Sequence, residues 1–232
     1  HKFKASYEMQ ALILQNLSII RQMQDDEKES MRLHVEEAIP VAIKSKNAEI
    51  VSGLYKLVGI ALMNIEDRKK ADLYLQKSIK EISKASKKSP VLLESKVELF
   101  IFTAENLIYL ERLTNGKENL EKAFYILKDY PNSNLNGLYY YAEGLYYYKL
   151  KNYNQALISY EKGLKNCILN NEKQSLNRLK FVKYQALVEL KQYSTAKSLL
   201  EDLIKNGNLF ITEKKKYYKE LSLFYEKTND YK

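Results

Sequence analysis

The 232-residue sequence predicts an all-α fold, a solenoid of stacked helical hairpins, and three observations support this. A ladder of small and large residues recurs at helical spacings. The segments joining the two halves of each ladder fall at equivalent places. Only 7 Gly and 3 Pro are present, too few for the many turns of a sandwich or barrel. In such a solenoid each hairpin buries its apolar face against its neighbours, so the core is a continuous strip.

The ladder is clearest in GLYYYAEGLYYYKLKNYNQALISYEKGL, where Tyr140, Gly144, Tyr147, Ala156, Tyr160 and Gly163 occupy it. Residues three and four apart stack on one face of a helix, so each half of the ladder marks one helix. Asn152, between the halves, leaves helical geometry cheaply and lets the chain turn back. Gly59, Leu62, Ala71, Leu75 and Ser78 repeat the spacing, with Tyr55 four residues before the glycine as Tyr140 is in the best copy. Tyr184, Leu187, Ala196, Leu200 and Leu203 repeat it again, with Tyr184 large where a small residue is expected. Equivalent turns at 66–68, 151–153, 191–193 and 229–231 imply at least four units.

These residues resemble the tetratricopeptide repeat, a two-helix unit of about 34 residues that stacks into a right-handed superhelix. The resemblance implies about five degenerate repeats forming one domain over residues 1–232. The interval between Ala71 and Ala156 leaves room for a unit over 99–127. There Leu120, Phe124 and Leu127 fit a second helix, while Ile108 and Glu111 fit the first poorly. The residues after Gly163, LKNCILNNEKQSLNR, lengthen the second helix or its exit loop. A last unit opens with Tyr218, Leu221, Ser222 and Tyr225, and its second helix would start where the chain stops. The chain is therefore expected to be a piece of a longer protein. Near the other end, Pro40 lacks an amide donor and should kink or break the helical run 29–46.

Composition narrows the function. No apolar run nears the roughly 20 residues needed to cross a bilayer, and no secretory leader opens the chain, so a cytoplasmic location is expected. Cys167 is the single cysteine and is read as a buried structural thiol. Asn16-Leu17-Ser18 fits a glycosylation acceptor but has meaning only in a secreted protein. The net charge of +9 raises the question of nucleic acid. Lysines and glutamates are interspersed in helical registers, however, runs such as 84–88 and 214–216 sit beside expected loops, and most of this charge reads as solvated faces. The 20 tyrosines fill large positions of the ladder. Phosphate loops, zinc-binding cysteine pairs and hydrolase motifs are missing from the sequence, so neither catalysis nor a cofactor or metal is expected. His34, with Glu37 three residues on, reads as a packed or surface histidine.

Binding remains. Proteins that this array resembles line their concave side with the first helix of each hairpin. That places Lys56, Ile60, Met63 and Asn64, then Tyr141, Leu145, Tyr148 and Lys149, then Phe181, Gln185, Val188 and Glu189 on a peptide-binding face. Lys219, Leu223, Glu226 and Lys227 are the equivalents in the last unit. Asn64 and Gln185 can pair with a peptide backbone, lysines can meet a terminal carboxylate, and Met63 and Val188 can pocket side chains. The array also resembles the sensory half of Gram-positive peptide-pheromone regulators of the Rgg and PlcR type. That resemblance implies a short peptide ligand, a homodimer, and DNA bound only through a domain upstream of His1. The alternatives are a constitutive scaffold for protein partners, or an anti-activator of the Rap type.

Overall fold

A computed structural model describes residues 2–24, 26–85, 89–207, 209 and 211–228. Among them the chain forms eleven helices and no strand. α1 is Lys2–Met23. α2 is a continuous run made of Glu27–Arg32, a π-helical stretch Leu33–Ala38, and Ile39–Ser45. α3 (Ala48–Asn64), α4 (Arg68–Ile82), α5 (Pro90–Tyr109) and α6 (Leu113–Leu127) follow. α7 (Leu135–Lys149), α8 (Tyr153–Leu169), α9 (Lys173–Glu189), α10 (Tyr193–Asn206) and α11 (Ile211–Thr228) complete the order. The helices fall into two compact units, His1–Ala123 and Phe124–Lys232, divided within α6. No helix of the described residues is long and apolar enough to cross a membrane.

Within each unit, hairpins close by the same device. Glu66, Glu111, Lys151 and Lys191 adopt the left-handed conformation, with φ of 64, 60, 59 and 59°. In each case the next amide donates back to the carbonyl five residues earlier, as Asn152 N–H does to Tyr147 O at 2.9 Å and Gln192 N–H does to Leu187 O at 2.9 Å. This satisfies carbonyls that a helix end leaves open. The turn expected at Asn152 is thus made by Lys151, and Asn152 instead caps α8, its side chain accepting from the Gln155 amide at 3.3 Å. Asp67 caps α4 in the same way, accepting from the Lys70 amide. The turn expected at 229–231 lies outside the described residues, as does part of the 84–88 lysine run.

The left-handed residues also fix the register of the weak unit. From 66 to 111 is 45 residues, from 111 to 151 is 40, and from 151 to 191 is 40. The same steps from Gly59 lead to Ala104, Gly144 and Tyr184. The ladder of the weak unit is therefore Ala104, Leu107, Gly116, Leu120 and Ala123, all buried. Phe124, expected in that second helix face, is 49% exposed. The unit is longer than 34 residues because second helices and exit loops are extended; α8 alone runs on to Leu169, burying Asn166 and Cys167. Asn166 is anchored there, accepting from the Gly137 amide at 2.9 Å and donating to Ser133 O at 3.1 Å. Burial pushes the Cys167 thiol up to about 11, as a structural thiol requires.

α2 passes through Pro40 without a break. The amide missing at Pro40 is accommodated one turn earlier, where Leu33–Ala38 widens into π geometry and the Ile39 amide donates to His34 O. This turn presents His34 inward, 4% exposed, with Nδ1 hydrogen-bonded to the fully buried Ser18 hydroxyl of α1. Ser18 also donates to Ser30 O at 2.7 Å, so its hydroxyl is enclosed in the fold. Glu37 does not share the imidazole face; it accepts from Arg32 at 2.7 Å. Burial holds the His34 pKa below the usual histidine range.

The small positions are close-packed. A Cβ on Gly144 would lie 2.2 Å from the ring of Tyr160, which is fully buried and has nowhere to move. A Cβ on Gly53 would meet nothing within 4 Å. Gly144→Ala is therefore expected to destabilise the fold by about 1–3 kcal/mol through overpacking. Gly53→Ala should stabilise it by about 0.5–1 kcal/mol through helix propensity. Urea denaturation of the two single variants tests this opposition of sign.

Candidate peptide groove

The first helices of the hairpins in the second unit are α7, α9 and α11. Gly144 draws α7 onto α8, and the continuing stack sets α9 beside α7 and α11 beside α10. An open cavity of about 190 Å³ lies among α7, α9 and α11. Tyr148 lines it from α7, while Tyr184, Gln185, Val188 and Glu189 line it from α9. From α11 come Glu220, Leu223, Phe224 and Lys227.

Six of the residues expected on the binding face meet here: Tyr148, Gln185, Val188, Glu189, Leu223 and Lys227. Tyr141, Leu145 and Phe181 lie beneath the surface, at 6%, 4% and 5% exposure. Tyr141 is covered by the Arg178 guanidinium, 4.4 Å from its ring centre, and Phe181 stacks on Tyr217 at 4.5 Å. These three shape the floor of the helix packing and are not groove surface. Lys149 is half-buried and outside the cavity lining.

The equivalent face of the first unit is occupied by its own side chains. The Lys56 ammonium is held by the Glu98 carboxylate of α5, so it is not open to a terminal carboxylate. Met63 is 4% exposed, Ile60 is half-buried and Asn64 is exposed. On α5 the position equivalent to Ile60 and Gln185 is Glu105, itself buried, and Arg68 lies over the Tyr109 ring at 4.1 Å. The expected site residues thus separate into a partly paired face in the first unit and an open one in the second.

Reading the sequence did not place Tyr184, Glu220 or Phe224 on the binding face. The packing register of α11 accounts for this. Tyr217 and Phe224, each 3% exposed, form its buried face, whereas Tyr218 is 58% exposed and Ser222 is exposed. A further step of 40 residues from Tyr184 leads to Phe224, which would have given the register. Of the α11 residues expected on the binding face, Leu223 and Lys227 line the cavity, while Lys219 and Glu226 do not.

The lining is amphipathic. Val188, Leu223 and Phe224 supply apolar surface, Gln185 offers both donor and acceptor, and two carboxylates face one ammonium. Burial, then Glu189, Tyr153 and Glu220, push the Tyr148 hydroxyl up to about 12. Burial and Glu220 push Tyr184 up to about 12. The Tyr148 ring also packs edge-on against Tyr153 at 5.3 Å, and Tyr153 donates to Glu189.

No protein-family model matches the chain, and no curated protein sequence matches it. Solved structures do resemble it. BtubC (BKLC) from P. vanneervenii is 13% identical with a TM-score of 0.58, covering 99% of this chain and 84% of that one. A signal-transduction ATPase of the STAND class with a tetratricopeptide repeat sensor, PH0952 from Pyrococcus horikoshii, is 15% identical with a TM-score of 0.51. That match covers 98% of this chain and 44% of the ATPase. At these identities the likeness concerns the fold, which is a tetratricopeptide-type helical-hairpin solenoid.

Because the Tyr148 and Tyr184 values are raised in the folded state, the folded chain keeps phenolic protons that the unfolded chain releases near pH 10. The stability this contributes is complete below pH 10 and is lost as pH rises towards about 12. The urea midpoint is expected to fall across that interval, and Tyr148→Phe with Tyr184→Phe should make the fall shallower.

Proposed function

We propose that the chain is a non-catalytic recognition module whose second unit holds an extended peptide segment along the groove between α7, α9 and α11. The observation that carries this is the convergence of Tyr148, Gln185, Val188 and Leu223 on one open cavity, from three helices that the hairpin ladder places side by side. Tyrosine offers contact area at small rotamer cost, Gln185 suits a peptide backbone, and Val188, Leu223 and Phe224 suit an apolar side chain. Glu189 and Glu220 outnumber Lys227, which favours a ligand with positive charge.

The narrower reading is that this is the signal-sensing part of a cytoplasmic, peptide-pheromone-responsive transcriptional regulator. It rests on the sequence resemblance, with the tetratricopeptide sensor of the Pyrococcus ATPase as a precedent for sensing on this fold. Beyond peptide binding, it requires a peptide that binds two conformations with different affinity, since a ligand shifts an equilibrium only by that difference. A scaffold requires binding alone.

Selection from a displayed library of random nine-residue peptides should enrich sequences carrying Lys or Arg beside an apolar residue. By calorimetry, Val188→Asp and Leu223→Asp should each weaken the selected peptides by more than about tenfold. Ile158→Asp, at an exposed position on α8, should leave their affinity unchanged. Equal affinity across all three variants would contradict the proposal.

A further inference from the structure

Tyr148 is the second-last residue of α7, Glu189 the last of α9 and Lys227 the second-last of α11, so the cavity lies towards the C-terminal ends of all three helices. Each helix end contributes the negative pole of its dipole. Two carboxylates add to this. Glu189 and Glu220 both act on the Tyr148 hydroxyl, and Glu220 acts also on that of Tyr184. Neither carboxylate enters an ion pair among the described residues. Lys180 and Lys183, on the same helix as Glu189, are engaged elsewhere, Lys180 with Asp202 at 2.8 Å and Lys183 with Glu161. Tyr184 is 3% exposed and lines the cavity, yet its hydroxyl makes no hydrogen bond to a described residue. A buried hydroxyl without a partner costs free energy that a ligand group placed beside it offsets.

We infer that this cavity is a pocket for the primary ammonium of a lysine side chain carried by the peptide, an assignment that rests on the groove reading above. An ammonium has three donors, and the cavity offers it three acceptors, the carboxylates of Glu189 and Glu220 and the Tyr184 hydroxyl oxygen. A guanidinium presents a flat fork that is matched by a single carboxylate rather than by three separate groups. A quaternary ammonium has no donor to give them. The methylene stem of lysine lies against Val188, Leu223 and Phe224, while its charged head reaches the carboxylates. A peptide amino terminus carries the same ammonium but lacks that stem. Lys227, exposed on α11, also lines the cavity and opposes a cation there.

The probe is n-butylammonium, titrated into the chain at neutral pH and followed through the methyl resonances of Val188 and Leu223. It should shift both, with n-butanol binding at least about tenfold more weakly and n-butylguanidinium falling between them. Glu189→Gln and Glu220→Gln should each weaken n-butylammonium about two- to fivefold. Lys227→Gln should strengthen it by a similar factor, an opposite sign that altered packing would not produce. In a library-selected peptide, replacing the lysine by norleucine or arginine should weaken binding, and acetylating the amino terminus should not. Equal binding of n-butanol and n-butylammonium would overturn the inference, as would a loss of peptide binding on acetylation alone. Selected peptides that lack lysine yet depend on Val188 and Leu223 would overturn it while leaving the groove reading in place.

Discussion

The distance at which a helical hairpin can close is set by what lies at its crossing point, and here that is a small residue on the first helix against a larger one on the second. Gly144 over Tyr160 is the tightest case, and Gly59 over Leu75 repeats it, with a Cβ there meeting Leu75 at 2.9 Å. Seven residues after Gly59, Ala104, Gly144 and their large counterpart Tyr184 the chain enters the left-handed conformation, at Glu66, Glu111, Lys151 and Lys191, and reverses. None of the four left-handed residues is glycine. Each such residue carries a strain of roughly 1 kcal/mol, and it is offset by the capping hydrogen bonds and by the close packing that the reversal allows. Crossing and turn together form a unit, and stacked units bring successive first helices side by side.

The groove follows from one departure from that rule. Tyr184 takes a position where the ladder elsewhere has Gly59, Ala104 or Gly144. Its ring lies 5.9 Å from Phe181 and 6.2 Å from Phe224, and the residue lines the cavity between α9 and α11. The same substitution that makes this copy of the ladder degenerate therefore places a phenol beside Glu220 and close to Tyr148. The corresponding face of the first unit is occupied by the Lys56–Glu98 ion pair, by Met63 and by Glu105. Two stretches built on one repeat thus differ in what they can offer a ligand.

The helical hairpins were legible in the sequence wherever small and large residues alternate strongly, as from Tyr140 to Gly163. The weak unit was not, because its small residue is Ala104 and its alanine position is Gly116, an exchange that hides both from a pattern seeking glycine first. Pro40 was expected to kink or break the run 29–46, whereas the helix continues through it with a π-helical stretch at Leu33–Ala38. That stretch sets His34 against Ser18 across the hairpin, a contact sixteen residues distant that no local pattern reveals. The binding face was legible as a helix side, since i, i+4 and i+7 positions share one. Which of its members are surface was not, because Tyr141 and Phe181 are buried by Arg178 and Tyr217, residues supplied by the next helix in the stack.

The central claim is that the second unit recognises peptide through the face shared by α7, α9 and α11. Nuclear magnetic resonance of the chain, with tyrosine rings and the methyl groups of valine, leucine and isoleucine labelled, tests it directly during titration with a library-selected peptide. The account predicts shifts concentrated at Tyr148, Tyr184, Val188 and Leu223, with Tyr125, Ile158 and Ile168 unmoved. Shifts concentrated at those three exposed residues, with the groove silent, would contradict it.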